Sequence, residues 1–279
     1  MRLLVCTDLD RTLLPNGFEP ESSKARIWFH KLAALPGITL AYVTGRDQKL
    51  VRKAINEYSL PMPDFVLGDV GSSIYVCKEQ EWHPISDWQA HIAKDWGGFT
   101  HSDLVALLKG FPGLELQEES KQNTYKVSYY ASVQFNHKKL LSELQGQLQE
   151  KNIEASLIWS IDEPANRGLL DILPACATKR HAIEFLMDNQ DYGLDNTVFS
   201  GDSGNDLPVL ASPIRSILVH NASTDVKREG QHMVKMTGTE KSFYLACGGF
   251  REMNGNYAAG ILEGITYYYP EINELLESD

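Results

Sequence analysis

The chain has 279 residues, of which 43% are hydrophobic and 23% are charged, and its formal net charge at pH 7 is −11. This length permits one large domain or two smaller ones, and the composition is that of a globular protein with a full apolar core. The acidic balance and the absence of a basic stripe exclude a nucleic-acid polyanion as the main partner, whereas a small phosphorylated substrate needs only local positive charge.

The apolar runs are too short for a membrane-spanning helix, and the N-terminus lacks the basic and apolar regions of a signal peptide. Four cysteines, Cys6, Cys77, Cys176 and Cys247, stand far apart with no CxxC spacing. We therefore expect reduced thiols in a cytoplasmic protein. We expect no membrane partner and a monomer or small homo-oligomer.

Strands alternate with helices at the start of the chain. Buried strands are predicted over residues 2–7, 38–43 and 65–67, with helices over residues 20–35 and 48–58. This alternation predicts parallel βαβ units and a doubly wound α/β sheet. Because function collects at the carboxyl ends of strands in such sheets, Asp8, Thr44 and residues 69–73 are candidates for a site.

The pattern changes near Pro84, where consecutive strands replace the alternation. Strands are predicted over residues 114–117, 125–130 and 155–161, and helices over residues 103–111 and 136–151. These elements predict an antiparallel α+β unit inserted into the first domain. We assign residues 86–166 to this inserted domain and residues 1–85 and 167–279 to a discontinuous core.

The first pattern returns after Pro164. Strands are predicted over residues 169–173, 197–200 and 217–219, and helices over residues 179–189 and 257–268. Residues 235–256 are polar and rich in glycine, and we expect a long surface excursion there.

Two carboxylates, Asp8 and Asp10, follow the first strand in the segment DLDRT. A carboxylate can act as a nucleophile, including through an aspartyl-phosphate. A second carboxylate that folds back toward the same pocket can donate a proton and later accept one. The alternative is that both residues only cap the turn that follows the strand.

The segment GDSGND, which follows the predicted strand 197–200, adds Asp202 and Asp206. Mg²⁺ prefers hard oxygen ligands, usually one or two carboxylates with water and substrate phosphate. Asp8, Asp202 and the backbone carbonyl of Asp10 would make such a set, and Asp206 could orient the bound water. The alternative is an ordinary glycine-rich loop between a strand and a helix.

Thr44 and Lys179 each stand where a predicted helix begins. A hydroxyl and backbone N–H groups at a helix N-terminus hold phosphate oxygens, although Thr44 could simply cap its helix. A lysine at this end of a helix is unfavourable with the helix dipole unless it faces an anion. A solvated side chain is the alternative for Lys179.

Taken together and in this order, DLDRT, Thr44, Lys179 and GDSGND resemble the four motifs of the haloacid dehalogenase (HAD) superfamily of phosphotransferases. The longer segments DLDRTLL, YVTGR, GDVGSSIY and YKVSYY are similar to its type IIB, sucrose-phosphatase-like branch. The resemblance covers nearly the whole chain. It implies a Rossmann-like core with an α+β cap inserted between the second and third motifs.

The resemblance also implies a Mg²⁺-dependent phosphatase mechanism. Asp8 would attack phosphorus, and Asp10 would act as general acid and then as general base. The phosphoryl oxygens would be held by Thr44, Gly45, Lys179 and Asn205. The metal site would comprise Asp8, Asp10, Asp202 and Asp206.

The sugar is expected to contact the cap and one core loop. Lys126 and Ser128 on a cap strand could hydrogen-bond sugar hydroxyls, and Gly71, Ser72 and Ser73 could also touch the sugar; a plain aromatic hairpin is the alternative for the cap strand. The resemblance implies sucrose 6-phosphate or a similar sugar-conjugate phosphate as substrate. Alternatives are a mannosyl- or glucosyl-3-phosphoglycerate phosphatase, a phosphomutase and a non-catalytic sugar-phosphate-binding protein.

Overall fold

The computed structural model describes residues 2–78, 81–134, 136–162 and 165–277. The chain divides into two compact units, one formed by Met1–Pro84 with Lys179–Asp279 and the other by Ile85–Thr178. Within these described ranges, no helix combines the length and the apolar character needed to cross a membrane.

Strands and helices occur along the whole chain. The strands, in chain order, are β1 (Leu3–Thr7), β2 (Ile38–Val43), β3 (Phe65–Gly68), β4 (Ser73–Lys78), β5 (Glu81–Pro84), β6 (Leu114–Leu116), β7 (Val127–Ala131), β8 (Ala155–Asp162), β9 (Arg167–Pro174), β10 (Thr197–Gly201), β11 (Arg215–Leu218) and β12 (Phe243–Leu245). The α-helices are α1 (Ala25–Ala34), α2 (Gln48–Tyr58), α3 (Ser86–Ile92), α4 (His101–Leu107), α5 (His137–Gln149), α6 (Lys179–Asn189), α7 (Leu207–Leu210), α8 (Thr224–Thr237), α9 (Ala258–Tyr268) and α10 (Glu271–Glu277).

The first unit is built on one sheet with the strand order β12-β11-β10-β1-β2-β3-β4-β5. Neighbouring strands from β12 to β3 are parallel, and β4 and β5 extend the sheet antiparallel at one edge. The chain moves outward from β1 to β3 and later returns on the other side of β1. This arrangement confirms the predicted doubly wound α/β fold, and it brings the carboxyl ends of β1, β2 and β10 next to one another.

Apolar helix faces cover this sheet. All five residues of β1 are buried, and Phe29 and Leu32 on α1 belong to the same core. Helix α9 is buried over its first eight residues. Gly264 lets this helix pack closely against β11. A Cβ at this position would stand 2.4 Å from a side-chain carbon of Ile217.

The second unit contains a four-stranded sheet with the order β6-β7-β9-β8, in which all neighbours are antiparallel. Val127 and Tyr129 alternate along β7 toward a core that also contains Leu104 of α4 and Leu144 of α5. The alternation leaves Ser128 on the opposite face of the strand. An antiparallel α+β unit is therefore present in the middle of the chain, as predicted from the consecutive strands.

Two expectations about the chain's organisation are wrong. The strand predicted at 169–173 belongs to β9, which pairs with β7 and β8 in the second unit rather than resuming the first sheet, so the second unit reaches Thr178. Residues 235–256 are not a surface excursion, because β12 pairs with β11 and Ala246 is fully buried. Helix α8 and strands β4 and β5 were not predicted.

Candidate active site

The candidate site lies where β1, β2 and β10 end. Asp8 follows β1, Thr44 follows β2 and Asp202 follows β10, and all three side chains are buried. The Asp8 backbone N–H donates to the carbonyl of Ser200 at 2.9 Å, which ties the end of β1 to β10. The parallel register of the sheet thus brings residues from distant parts of the sequence together.

Lys179, the first residue of α6, carries a buried ammonium at this site and is 2% exposed. Its Nζ lies 3.0 Å from Asp8 Oδ1 and 2.7 Å from Asp206 Oδ1, and it donates to Asn205 Oδ1 at 3.2 Å. Although burial lowers the pKa of Lys179, Asp206 and Asp8 raise that pKa above its ordinary value. The lysine is therefore charged and not solvated.

Three buried carboxylates, Asp8, Asp202 and Asp206, face one another, each offering an oxygen within 4.8 Å of the others. Burial raises the pKa of Asp8 to about 7 against the effect of Lys179, and Asp206 and Asp202 add to the rise. Burial and then Asp206 raise the pKa of Asp202 to about 6. Hard oxygen donors that repel one another fit a divalent cation.

Within this cluster, Asp206 also supports the loop that carries Asp202. Its Oδ2 accepts from the backbone N–H of Asp202 at 3.1 Å and from that of Ser203 at 3.0 Å. A Cβ at Gly201 would stand 2.6 Å from the carboxyl carbon of Asp206, so only glycine leaves room for this contact. The glycine in GDSGND therefore has a packing role.

Thr12, the last residue of DLDRT, supports Asp202 from the β1 side. Its hydroxyl is buried and donates to Asp202 Oδ1 at 3.0 Å, and Arg11 Nε lies 3.7 Å from Asp202 Oδ2. No role was predicted for Thr12, although its place in the segment DLDRT beside Asp8 and Asp10 pointed to the site.

The carboxylate of Asp10 is not one of the three in this cluster and is held by Arg46 and Asn16. It accepts from Arg46 Nε at 2.7 Å and from Arg46 Nη2 at 2.6 Å, and from Asn16 Nδ2 at 2.7 Å. Burial raises the pKa of Asp10, but the hydrogen bonds and charge of Arg46 outweigh it, and the pKa lies below its ordinary value. Sequence reasoning missed both partners, although Arg46 directly follows Thr44 and Gly45.

Thr44 links the end of β2 to the loop after β3. Its backbone N–H donates to Leu67 O at 2.8 Å, its carbonyl accepts from Val70 at 3.1 Å, and its Oγ1 accepts from the Arg46 N–H at 3.2 Å. A Cβ at Gly45 would make only an ordinary contact with Val70, at 3.8 Å. Thr44 thus lies at the predicted position beside the site.

The loop after β3 has an unusual backbone. Asp69 and Val70 have φ values of 50° and 62°, which are costly for a β-branched residue such as valine. Gly71 follows with a φ of 102°. Ser72 and Ser73 are both buried, and the Ser72 hydroxyl donates to the carbonyl of Asp69 at 3.1 Å.

The predicted sugar contacts of the cap strand lie in the second unit. The Ser128 hydroxyl is buried and donates to Asp171 Oδ1 at 2.5 Å, with Lys121 O 3.2 Å away. Lys126 closes a tight turn, since its backbone exchanges hydrogen bonds with Asn123. Asp171, which pairs with Ser128 across β7 and β9, was not predicted.

Comparison with known families assigns the chain. The family model of sucrose-6F-phosphate phosphohydrolase matches residues 1–269. The chain belongs to this family of HAD phosphatases. Its members are phosphoric monoester hydrolases, and the likeness drawn from the four sequence motifs is confirmed.

Individual relatives span nearly the whole chain. A Nitrosococcus oceani protein named only as a HAD-like hydrolase is 48% identical over 99% of this chain and 74% of its own length. Mannosylfructose-phosphate phosphatase of Agrobacterium fabrum is 27% identical over 95% of this chain and 96% of its own length. The solved sucrose-phosphatase of Synechocystis sp. PCC6803, in complex with sucrose and phosphate, is 25% identical with a TM-score of 0.71, covering 96% of this chain and 98% of that one.

Proposed function

We propose that this phosphatase hydrolyses a sugar phosphate through a phosphoaspartate intermediate and depends on Mg²⁺. The observation that carries the proposal is the buried ammonium of Lys179 between Asp8 and Asp206, with Asp202 in the same cluster. If Asp8 only capped a turn, or if Lys179 were a solvated side chain, neither group would need to be buried. A buried pair of ammonium and carboxylate at the end of a parallel sheet is suited to phosphoryl transfer. The ammonium can bind the phosphoryl anion, and the carboxylate can attack it.

In this mechanism Asp8 attacks the phosphorus while the bond from phosphorus to the sugar oxygen breaks. Asp10 gives a proton to the departing sugar oxygen. Water then attacks the phosphorus of the phosphoaspartate and gives a proton back to Asp10, and Asp8 is regenerated as inorganic phosphate leaves. Thr44 and Lys179 would bind the phosphoryl oxygens, assisted by the backbone of Gly45 and by Asn205.

The donor set fits Mg²⁺ because it consists of buried carboxylate oxygens. Asp8, Asp202 and the backbone carbonyl of Asp10 would hold the ion. Asp206 would act indirectly, since its oxygens contact Lys179 and the loop backbone. When bound, Mg²⁺ would neutralise negative charge on the phosphoryl group.

We propose sucrose 6-phosphate or a similar sugar-conjugate phosphate as the substrate. The family model and the solved sucrose-phosphatase support this class, and mannosylfructose phosphate is a second candidate because the Agrobacterium fabrum phosphatase matches over nearly its whole length. Lys126 and Ser128 would contribute to sugar recognition. The four free cysteines, Cys6, Cys77, Cys176 and Cys247, support a reducing compartment, and we propose the cytoplasm.

The test is phosphate release from a panel containing sucrose 6-phosphate, mannosylfructose phosphate, mannosyl- and glucosyl-3-phosphoglycerate and an aryl phosphate. Each substrate is assayed with Mg²⁺ and with EDTA. Asp8→Asn should abolish turnover with little effect on the unfolding temperature. The exposed Asp225→Asn serves as the matched control, because Asp225 pairs with Arg228 on the surface of α8.

The alternatives give different products. A phosphomutase would yield an isomeric sugar phosphate instead of inorganic phosphate. A non-catalytic protein would bind members of the panel without turning any of them over. Activity of Asp8→Asn near that of the parent protein would remove Asp8 from the nucleophile's role.

A further inference from the structure

Asp10 is held by two side chains from different parts of the first unit. Arg46, just after β2, places two nitrogens on it, with Nε on Oδ2 at 2.7 Å and Nη2 on Oδ1 at 2.6 Å. Asn16, six residues along the chain, donates to Oδ1 at 2.7 Å. A bidentate arginine fixes both the plane and the direction of a carboxylate.

The backbones that carry these partners are themselves fixed. The Arg46 N–H donates to Thr44 Oγ1 at 3.2 Å, and its carbonyl accepts from Asp69 at 3.0 Å. Asn16 Oδ1 accepts from the Arg11 N–H at 2.8 Å, so both ends of its amide are used. The orientation of Asp10 is therefore set by a hydrogen-bonded network and not by solvent.

The network leaves part of Asp10 open. Three N–H donors occupy three of the roughly four lone-pair sites on its two oxygens, which leaves one site for a proton or a water. The side chain is 43% exposed, so water can reach it. A carboxylate that is held in one orientation and that water can reach is suited to take a proton from an attacking water.

We propose that Arg46 and Asn16 are positioning residues that hold Asp10 as the base of the dephosphorylation half-reaction. This inference rests on the proposed phosphoaspartate mechanism. In that half-reaction water forms a bond to phosphorus, the bond from phosphorus to Asp8 breaks, and the water's proton passes to Asp10. Neither Arg46 nor Asn16 takes or gives a proton in the step.

The experiment uses an aryl phosphate with a good leaving group, such as 4-nitrophenyl phosphate. Its departure needs no proton, so kcat/KM reports formation of the phosphoenzyme, whereas kcat reports its hydrolysis when that step is slow. We expect Arg46→Gln to lower kcat about 10–100-fold, KM to fall with it, and kcat/KM to stay nearly unchanged. Rapid mixing should then show a stoichiometric burst of nitrophenolate.

Three further variants separate positioning from other roles. Asn16→Asp keeps an acceptor for the Arg11 N–H but removes the donor to Asp10, and it should give the same kcat and KM pattern. Arg46→Lys should restore part of kcat. Arg26→Gln breaks a comparable pair with Glu21, 2.9 Å away in the same unit, and should leave both constants unchanged.

A double variant tests whether Arg46 works through Asp10. In an Asp10→Asn background, Arg46→Gln should add little further loss of kcat, because the group it positions is already gone. Two results would overturn the inference, because they would mean that Arg46 binds the phosphoryl group itself. One is a loss of kcat in the double variant equal to the product of the losses in the two single variants. The other is a fall in kcat/KM for the aryl phosphate. Absence of phosphate release by the parent protein from every substrate would overturn the proposed function and the inference with it.

Discussion

Replacement of Lys179 by methionine is the most direct test of the site's electrostatics. The ammonium is 2% exposed and lies 3.0 Å from Asp8 and 2.7 Å from Asp206. Removing one partner from a buried ion pair costs about 3–5 kcal/mol, because the remaining charge loses its counterion. We expect Lys179→Met to lower the free energy of unfolding by this amount near neutral pH.

The penalty should depend on pH. Burial has already raised the pKa of Asp8 to about 7 in the presence of Lys179, and without the ammonium this pKa rises further. An acid whose folded pKa is raised stabilises the fold less as pH rises between its unfolded and its folded value. The destabilisation by Lys179→Met should therefore grow by up to about 1.4 kcal/mol per pH unit above about pH 7, where Asp8 is ionised in the parent but still protonated in the variant, and should change little below that pH.

The assay is urea unfolding of the parent protein and the variant at several pH values in EDTA. Lys53→Met is the matched control, because Lys53 pairs with Glu57 at 3.5 Å on the exposed face of α2. Its effect should be a small fraction of that of Lys179→Met and independent of pH. Equal effects of the two variants, or a penalty for Lys179→Met that does not change with pH, would refute the reasoning.

Two other measurements test the cluster and the core. Mg²⁺ affinity should weaken about 10³-fold from about pH 8 to pH 5, because Asp8 and Asp202, with pKa values raised to about 7 and about 6, must lose their protons to bind metal. Titration calorimetry in two buffers would count the protons released, and a constant affinity would contradict the prediction. Gly264→Ala should lower the unfolding temperature, since its Cβ would stand 2.4 Å from Ile217, whereas Gly146→Ala on α5, with open space, should not. Equal shifts would show that α9 can move away.

The ends of β1, β2 and β10 could be predicted because each signal is local. A short apolar run followed by a polar turn predicts a buried strand, and alternation with helices predicts that these strands run parallel. Asp8, Thr44 and Asp202 then fall at one edge of the sheet without any knowledge of side-chain partners. Lys179 could be predicted as an anion-facing residue from its position at the start of α6.

The direction of Asp10 could not be predicted from local signals. A carboxylate two residues beyond Asp8 can turn either way, and the partner that decides, Arg46, lies 36 residues along the chain. β9 presented a similar problem. Its segment RGLLDILP is apolar enough for either sheet, and only pairing with β7 and β8 decides which sheet it joins. Hydrophobic pattern thus predicts that a strand exists without predicting its partners.

The cluster holds more negative charge than the protein itself balances. One ammonium, that of Lys179, faces Asp8 and Asp206 directly, and Asp202 lies with them. Burial and the neighbouring carboxylates raise the pKa values of Asp8 and Asp202, so protons can supply the missing positive charge. In the proposed mechanism, a divalent cation would supply the same charge and leave Asp8 ionised to attack phosphorus. As pH rises through these pKa values the protons leave, and the negative charge that remains favours a bound cation.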